Sequence, residues 1–270
     1  MELRRSAGGV TIAQVCTILG ACAIWLPIAL FAQTAPQGSN KITTQVAVPF
    51  VGCKSDGQGG PLDAPEGTEK IVQMDASAAQ RLAYYKAENS PGVLAPRGWN
   101  CFGTYGSRGS SLFVTPQPIN SNDLLSSTWV GITGPGIQII EMAGDTSGRF
   151  DVARVIARVF PAEKAFVEAV IKDGIEPAAN FPFGAYPQDR LVSRSDKIVE
   201  YRTPANTIGL GTAESQLKQD EEPIEGVAIL QGETPDLVLL AVRLPGDAID
   251  LSPEIAQQSE NDSSASSAAK

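Results

Sequence analysis

The chain has 270 residues, with 21 Lys and Arg against 30 Asp and Glu and a formal net charge of −9. Polyanions are held mainly by basic patches, so an acidic chain whose cations are scattered among acids argues against binding of nucleic acid or an anionic membrane surface. The absence of histidine removes Ser-His-Asp and Cys-His nucleophile activation, histidine-ligated zinc and imidazole as a base near neutrality, leaving a hydrolase only carboxylate pairs, a Ser-Lys arrangement or a carboxylate-bound metal.

The chain begins with Arg4 and Arg5, an apolar run from Val10 to Ala32 and then polar QTAPQGSN. A basic start, an apolar segment and a small residue at its end read as an export signal over residues 1–32, alternatively as an uncleaved membrane anchor. Leu19-Gly20-Ala21-Cys22 also has lipobox spacing, although the apolar residues after Cys22 are a poor tether for a lipidated end. In each case the folded part is placed outside the cytoplasm, in the periplasm or cell envelope, and the membrane is met only through this N-terminal segment.

Residues 33–44 read as a polar tether and residues 45–256 as a single domain. QVAVPFVG alternates as a strand, KSDGQGGPLDAPEG is a turn-rich loop and TEKIVQM is a second strand. Asp75 and Ser77 offer N-cap oxygens for a short helix through AAQRLAYYKA. Short strands are expected around Val93, Cys101 and Phe113, then around Val130 and Ile139 with Gly134-Pro135-Gly136 as the turn between them. The period changes at Ser147: GRFDVARVIARVF and AEKAFVEAVIKDG, separated by Pro161, predict a helical pair covering one sheet face. EPAANFPFGAYPQDRLVSRSD reads as a loop, KIVEYRTP, PIEGVAILQG and PDLVLLAVRLP as strands, and the tail 257–270 as disordered for want of apolar residues. The fold class is therefore α+β, with a sheet of short, mostly antiparallel strands.

Cys53 and Cys101 are the only thiols beyond the leader. An even pair in an exported chain reads as a disulfide, and closing a loop of roughly 50 residues stabilises by about 3–4 kcal/mol.

The segment Gly98 to Ser111 is rich in Gly and Ser and carries Arg97 and Arg108 at its edge and within it. It could hold a carboxylate or phosphate through backbone amides, although it matches neither the P-loop nor the dinucleotide fingerprint and reads first as a turn between strands. Arg97, Trp99, Tyr105, Ser107 and Arg108 are the candidate ligand-binding residues. Tyr84, Tyr85 and Phe102 could extend a groove for a sugar or peptide, or pack in the core. Glu141 and Asp145, just after an apolar strand, are candidate catalytic carboxylates. Asp56 and Asp63 share a loop without the EF-hand pattern, and Ser215 and Lys218 satisfy S-x-x-K without its companion elements. No motif implies a cofactor or a metal.

At VGCKSDGQ (Val51 to Gln58), RLAYYKA, APRGWNCFGTYGS (Ala95 to Ser107), SGRFDVARVIARVF and RTPANTIGLGT, the chain resembles a family of exported bacterial proteins to which no activity is assigned. The resemblance implies a bacterial periplasmic or envelope setting and carries no functional residue across. The expectation is a non-enzymatic domain binding a small ligand or an envelope protein, with a carboxylate-based cell-envelope hydrolase as the alternative.

Overall fold

The computed structural model describes residues 44–124 and 126–269, with side chains described through 265. The leader, the lipobox and nearly all of the tether lie outside the described residues. The N-terminal half runs β1 (Thr44–Cys53), β2 (Ser55–Gly57), β3 (Glu69–Met74), α1 (Ala76–Arg81), β4 (Leu82–Ala87), β5 (Val93–Pro96), β6 (Asn100–Gly106) and β7 (Gly109–Thr115). There follow α2 (Ser121–Leu124), β8 (Gly136–Met142), α3 (Arg149–Val159), α4 (Lys164–Lys172), β9 (Arg190–Ser195) and β10 (Ile198–Thr203). The chain continues through α5 (Leu210–Ala213), β11 (Ile224–Gln231), β12 (Asp236–Arg243) and α6 (Ser252–Ala269).

These strands make two sheets, a four-stranded one in the order β3-β1-β4-β5 and an eight-stranded one in the order β2-β6-β7-β8-β12-β11-β10-β9. The β1–β4 and β2–β6 pairs are parallel, and every other neighbouring pair is antiparallel. Mostly antiparallel strands with a helical pair agree with the α+β expectation.

The eight-stranded sheet is buried on both faces, which explains why its central strands read as continuous apolar runs. Val227, Ile229, Val238 and Leu240 pack toward the four-stranded sheet together with Val48, Leu82, Leu94 and Ile255 of α6. Ala228, Leu230, Leu237 and Leu239 face the opposite way, onto Val152, Ile156 and Val159 of α3 and Val167 and Val170 of α4. A one-residue slip in β11 or β12 would exchange two complete packing surfaces, so register is strongly specified there.

Chain connectivity clamps the two sheets at one corner. Lys54 alone separates the end of β1 from the start of β2, so the backbone passes there from the smaller sheet to the edge of the larger. At the same corner Cys53 is bonded to Cys101 of β6, with Cα atoms 5.4 Å apart and 48 residues of sequence separation. Trp99 and Cys101, both partly buried, pack on the first core beside it.

Four local expectations give way to tertiary structure. The helix expected through AAQRLAYYKA stops at Arg81, and Leu82–Ala87 is the central strand β4, because Tyr84 and Tyr85 pair with Phe50 and Val51 of β1. No strand forms around Val130, which stands exposed in the loop before β8. The segment taken as a loop before KIVEYRTP contains β9, an exposed edge strand with little apolar signal. The tail expected to be disordered is instead the body of α6, whose inner face is Ser259 and Ser263 below Ile255. Its docking is polar: Tyr84 donates to Asp262 at 2.8 Å, and Gln231 donates to the Ser263 carbonyl at 3.0 Å.

Candidate functional site

The β6–β7 hairpin turns through Ser107 and Arg108, closing on the pair Gly106 and Gly109. Gly109 has φ +135°, and a Cβ there would sit 1.9 Å from the Glu141 carbonyl oxygen, so only glycine lets the hairpin lie flush against β8. Gly148, at the start of α3, likewise admits the Arg108 carbonyl, which would meet a Cβ at 2.2 Å. Two glycines thus press the hairpin tip onto the first turn of α3.

That contact places Arg108 beside Asp151. Arg108 Nε donates to Asp151 Oδ2 at 2.9 Å and Nη2 donates to the same oxygen. Asp151 Oδ1 accepts from Arg154 on the same helix, whose Nη1 donates to Glu176 Oε2 at 3.0 Å and whose Nε lies 3.9 Å from Glu214 Oε2. Asp151 and Glu214 are each only 11% exposed at the side chain, whereas Arg108 is 66% exposed. The carboxylates are therefore the buried scaffold, and Arg108 is the group presented to solvent.

The network lines a cleft of about 610 Å³ bounded by Gln58, the hairpin, β8, α3 and the segment 213–216. Ile140 and Met142 form an apolar part of its wall. Gln138, 2% exposed, is a strut: its Oε1 accepts the Gln216 N–H at 2.6 Å and its Nε2 reaches Ser111 Oγ at 3.5 Å. Gln58 Nε2 donates to Ser107 Oγ at 3.4 Å, and the Tyr105 hydroxyl donates to the Gly60 carbonyl at 2.6 Å. Among the described residues the Thr104 hydroxyl and Arg108 Nη1 have no intramolecular partner, and both residues line the cleft. The site thus offers neutral hydroxyls and amides around one exposed guanidinium, with its internal charges already paired.

Burial pushes the Glu214 carboxyl above its ordinary range, against the opposing pull of Arg154 and of the Tyr186 hydroxyl, which donates to it at 3.3 Å. A carboxyl with a raised pKa in the folded state contributes stability that is complete below its unfolded pKa and is lost as pH rises through the folded value. Wild-type protein should therefore lose more stability than Glu214→Gln as pH climbs out of the ordinary carboxylate range. Urea midpoints across that range measure the difference, and parallel curves would contradict it.

Of the five ligand-binding candidates, Tyr105, Ser107 and Arg108 come together at this cleft. Arg97 does not: its Nε and Nη2 bind the carbonyls of Leu82 and Ala79 at 2.9 and 2.8 Å, satisfying the orphan acceptors at the end of α1. Trp99 packs on the first core, its backbone N–H given to the Tyr85 hydroxyl at 3.1 Å. Glu141 is half-buried and follows Ile140 of the cleft wall, so strand alternation turns its side chain to the opposite sheet face, while Asp145 stands exposed on the following turn and does not line the cleft.

Ser215 and Lys218 lie in non-helical backbone, so the one-turn geometry of S-x-x-K is absent. The Ser215 hydroxyl donates to the Gly211 carbonyl and accepts the Leu217 N–H at 3.0 Å. Asp56 binds the backbone N–H of Gly57 at 2.8 Å and Asp63 is exposed. Among the described residues no group of three or more metal-ligating side chains is gathered.

Asp151, Arg154, Gln138 and Glu214 were not singled out from sequence. Asp151 and Arg154 belong to a helix whose amphipathic pattern explains them as a polar stripe, and Glu214 sits in a segment that reads as solvated. The available signal was the cation-acid spacing on α3, an i,i+3 pair.

Together these features define a two-sheet α+β protein with a disulfide between the sheets and a polar cleft beside the β6–β7 hairpin. Compared with protein-family models, curated proteins and solved structures, the chain matches none. The chemistry of the cleft is what speaks to function. A disulfide between the sheets fits an oxidising compartment.

Proposed function

We propose that this chain is an exported binding domain of the bacterial envelope that holds a small polyhydroxylated ligand of the sugar class in the cleft beside Arg108, without turning it over. The observation that carries the reading is the concave gathering of Thr104 and Arg108, whose donors lack internal partners, beside Ser111 and side chains already fixed by internal bonds. Hydroxyls and amides both donate and accept, which suits vicinal diols. Ile140 and Met142 supply an apolar surface for ring C–H groups. Paired internal charge favours a neutral or singly anionic ligand, with Arg108 Nη1 meeting its most electron-rich oxygen.

The site is built on strands and a helix rather than on long loops, so its donors are held in place before the ligand arrives. Titration calorimetry of a monosaccharide panel, comprising glucose, galactose, N-acetylglucosamine and glucuronate, tests the reading. At least one member should bind, and Arg108→Ala should weaken it about tenfold or more, as for loss of a charged hydrogen bond. No heat with any member, or affinity unchanged in Arg108→Ala, would overturn it.

A further inference from the structure

A second cleft, of about 690 Å³, lies on the other face of the large sheet, between the β4–β5 turn, β8, β12 and the last turns of α6. Lys86 and Ser90 stand on one side of it and Glu141 on another, with Ile139 and Val238 between them as an apolar surface. Asn89 and Glu141 also line a smaller adjoining hollow of about 320 Å³ at the hairpin end.

Two features of this cleft are not explained by the fold. Ser90 is 4% exposed, yet its Oγ has no hydrogen-bond partner among the described residues. Lys86 is half-buried and gives one N–H to the Ser90 carbonyl, but among the described residues no carboxylate lies within ion-pair distance of its ammonium. Burial pushes Lys86 below its ordinary value, while the charges of Glu141, Glu88 and Asp262 act against this from a distance. Glu141 likewise makes no ion pair among the described residues.

A cation and an anion thus line one cleft without pairing, and the residue whose carbonyl accepts from the cation carries a buried hydroxyl without a partner. Nearby Lys70 does not fill the gap, because it is engaged with Asp262 at 3.4 Å and with the Tyr84 ring. A buried polar group without a partner is costly, and a ligand carrying both charges removes that cost at Ser90 and pairs both ions.

We propose that this cleft is a second binding site, independent of the first, for a short zwitterionic peptide: its carboxylate taken by the Lys86 ammonium and the Ser90 hydroxyl, its ammonium by Glu141, and small apolar side chains by Ile139 and Val238. A lone anion is disfavoured there, since Glu88, Glu141 and Asp262 outnumber Lys70 and Lys86. The cleft's volume of about 690 Å³ has room for a dipeptide.

The experiment is titration calorimetry of the intact, disulfide-bonded chain with alanyl-alanine, N-acetyl-alanyl-alanine and alanyl-alanine amide. The parent dipeptide should bind, and each capped derivative should bind at least about tenfold more weakly, because each has lost one ion pair. Lys86→Gln should abolish the discrimination against the amide, and Glu141→Gln the discrimination against the N-acetyl form. The comparison of capped ligands needs no variant, so it stands even where a substitution disturbs folding. Equal affinity for all three ligands, absence of heat with any of them, or loss of binding in Arg108→Ala but not in Lys86→Gln would overturn the proposal.

Discussion

Cys101→Ser is expected to lower the unfolding free energy by about 3–4 kcal/mol, the chain-entropy value for a loop of this length, and to lower Tm by roughly 6–16 °C for a domain of this size. The bond closes 48 residues of sequence at the corner where the backbone leaves the small sheet for the large one. Without it, the short parallel pair β2–β6 would have to hold that corner through three residue pairs. The cleft should feel the loss as well. Gln58 and Gly60 follow β2 directly and hold Ser107 and Tyr105, so a loosened corner should also weaken any ligand bound beside Arg108. Guanidinium titrations of oxidised wild type and of Cys101→Ser read the first effect, and coincident midpoints would show that the bridge is dispensable.

Asp151→Ala is expected to cost about 2 kcal/mol, within the range for losing hydrogen bonds to a charged group. The carboxylate is 11% exposed and serves two guanidiniums, so its removal takes one of three carboxylate partners from Arg154, leaving Glu176 and Glu214, and releases Arg108 from the helix. Arg108→Ala should behave differently, changing stability by less than about 1 kcal/mol because that side chain is largely solvated. Both variants should weaken the ligand. The account therefore predicts one pair of effects on binding and two unlike effects on denaturation. Equal midpoints for Asp151→Ala and wild type would mean that the network is not a scaffold.

The elements most legible in the sequence are those whose pattern follows from local chemistry. Two cysteines beyond the N-terminal apolar run, the apolar runs of β11 and β12, and the helical period from Arg149 to Lys172 all lead to what the fold contains. The strand β4 was hidden because LAYYKA suits a helix as well as a strand, and only its pairing with Phe50 to Cys53 decides between them. The helix α6 was hidden for a related reason: its face is serine and glutamine, held by hydrogen bonds rather than by an apolar stripe. At the site, Tyr105, Ser107 and Arg108 were legible because glycines flank them. Arg97 was misleading, since the pull of an arginine beside a glycine-rich loop is indistinguishable in sequence from that of one capping a helix end. Asp151, Gln138 and Glu214 come from three separate segments and meet only through tertiary packing. Lys86 and Ser90 lie four residues apart, but nothing in sequence shows that Glu141 faces them across a cleft.

The central claim is that the cleft beside Arg108 takes a polyhydroxylated ligand. It is tested most directly by mapping backbone amide chemical shifts on titration with the tightest-binding sugar of the panel. The account predicts saturable shifts confined to Thr104 through Ser111, Gln138, Asp151 and Glu214 through Gln216. Saturable shifts that avoid these residues, or none at saturating sugar, would contradict it.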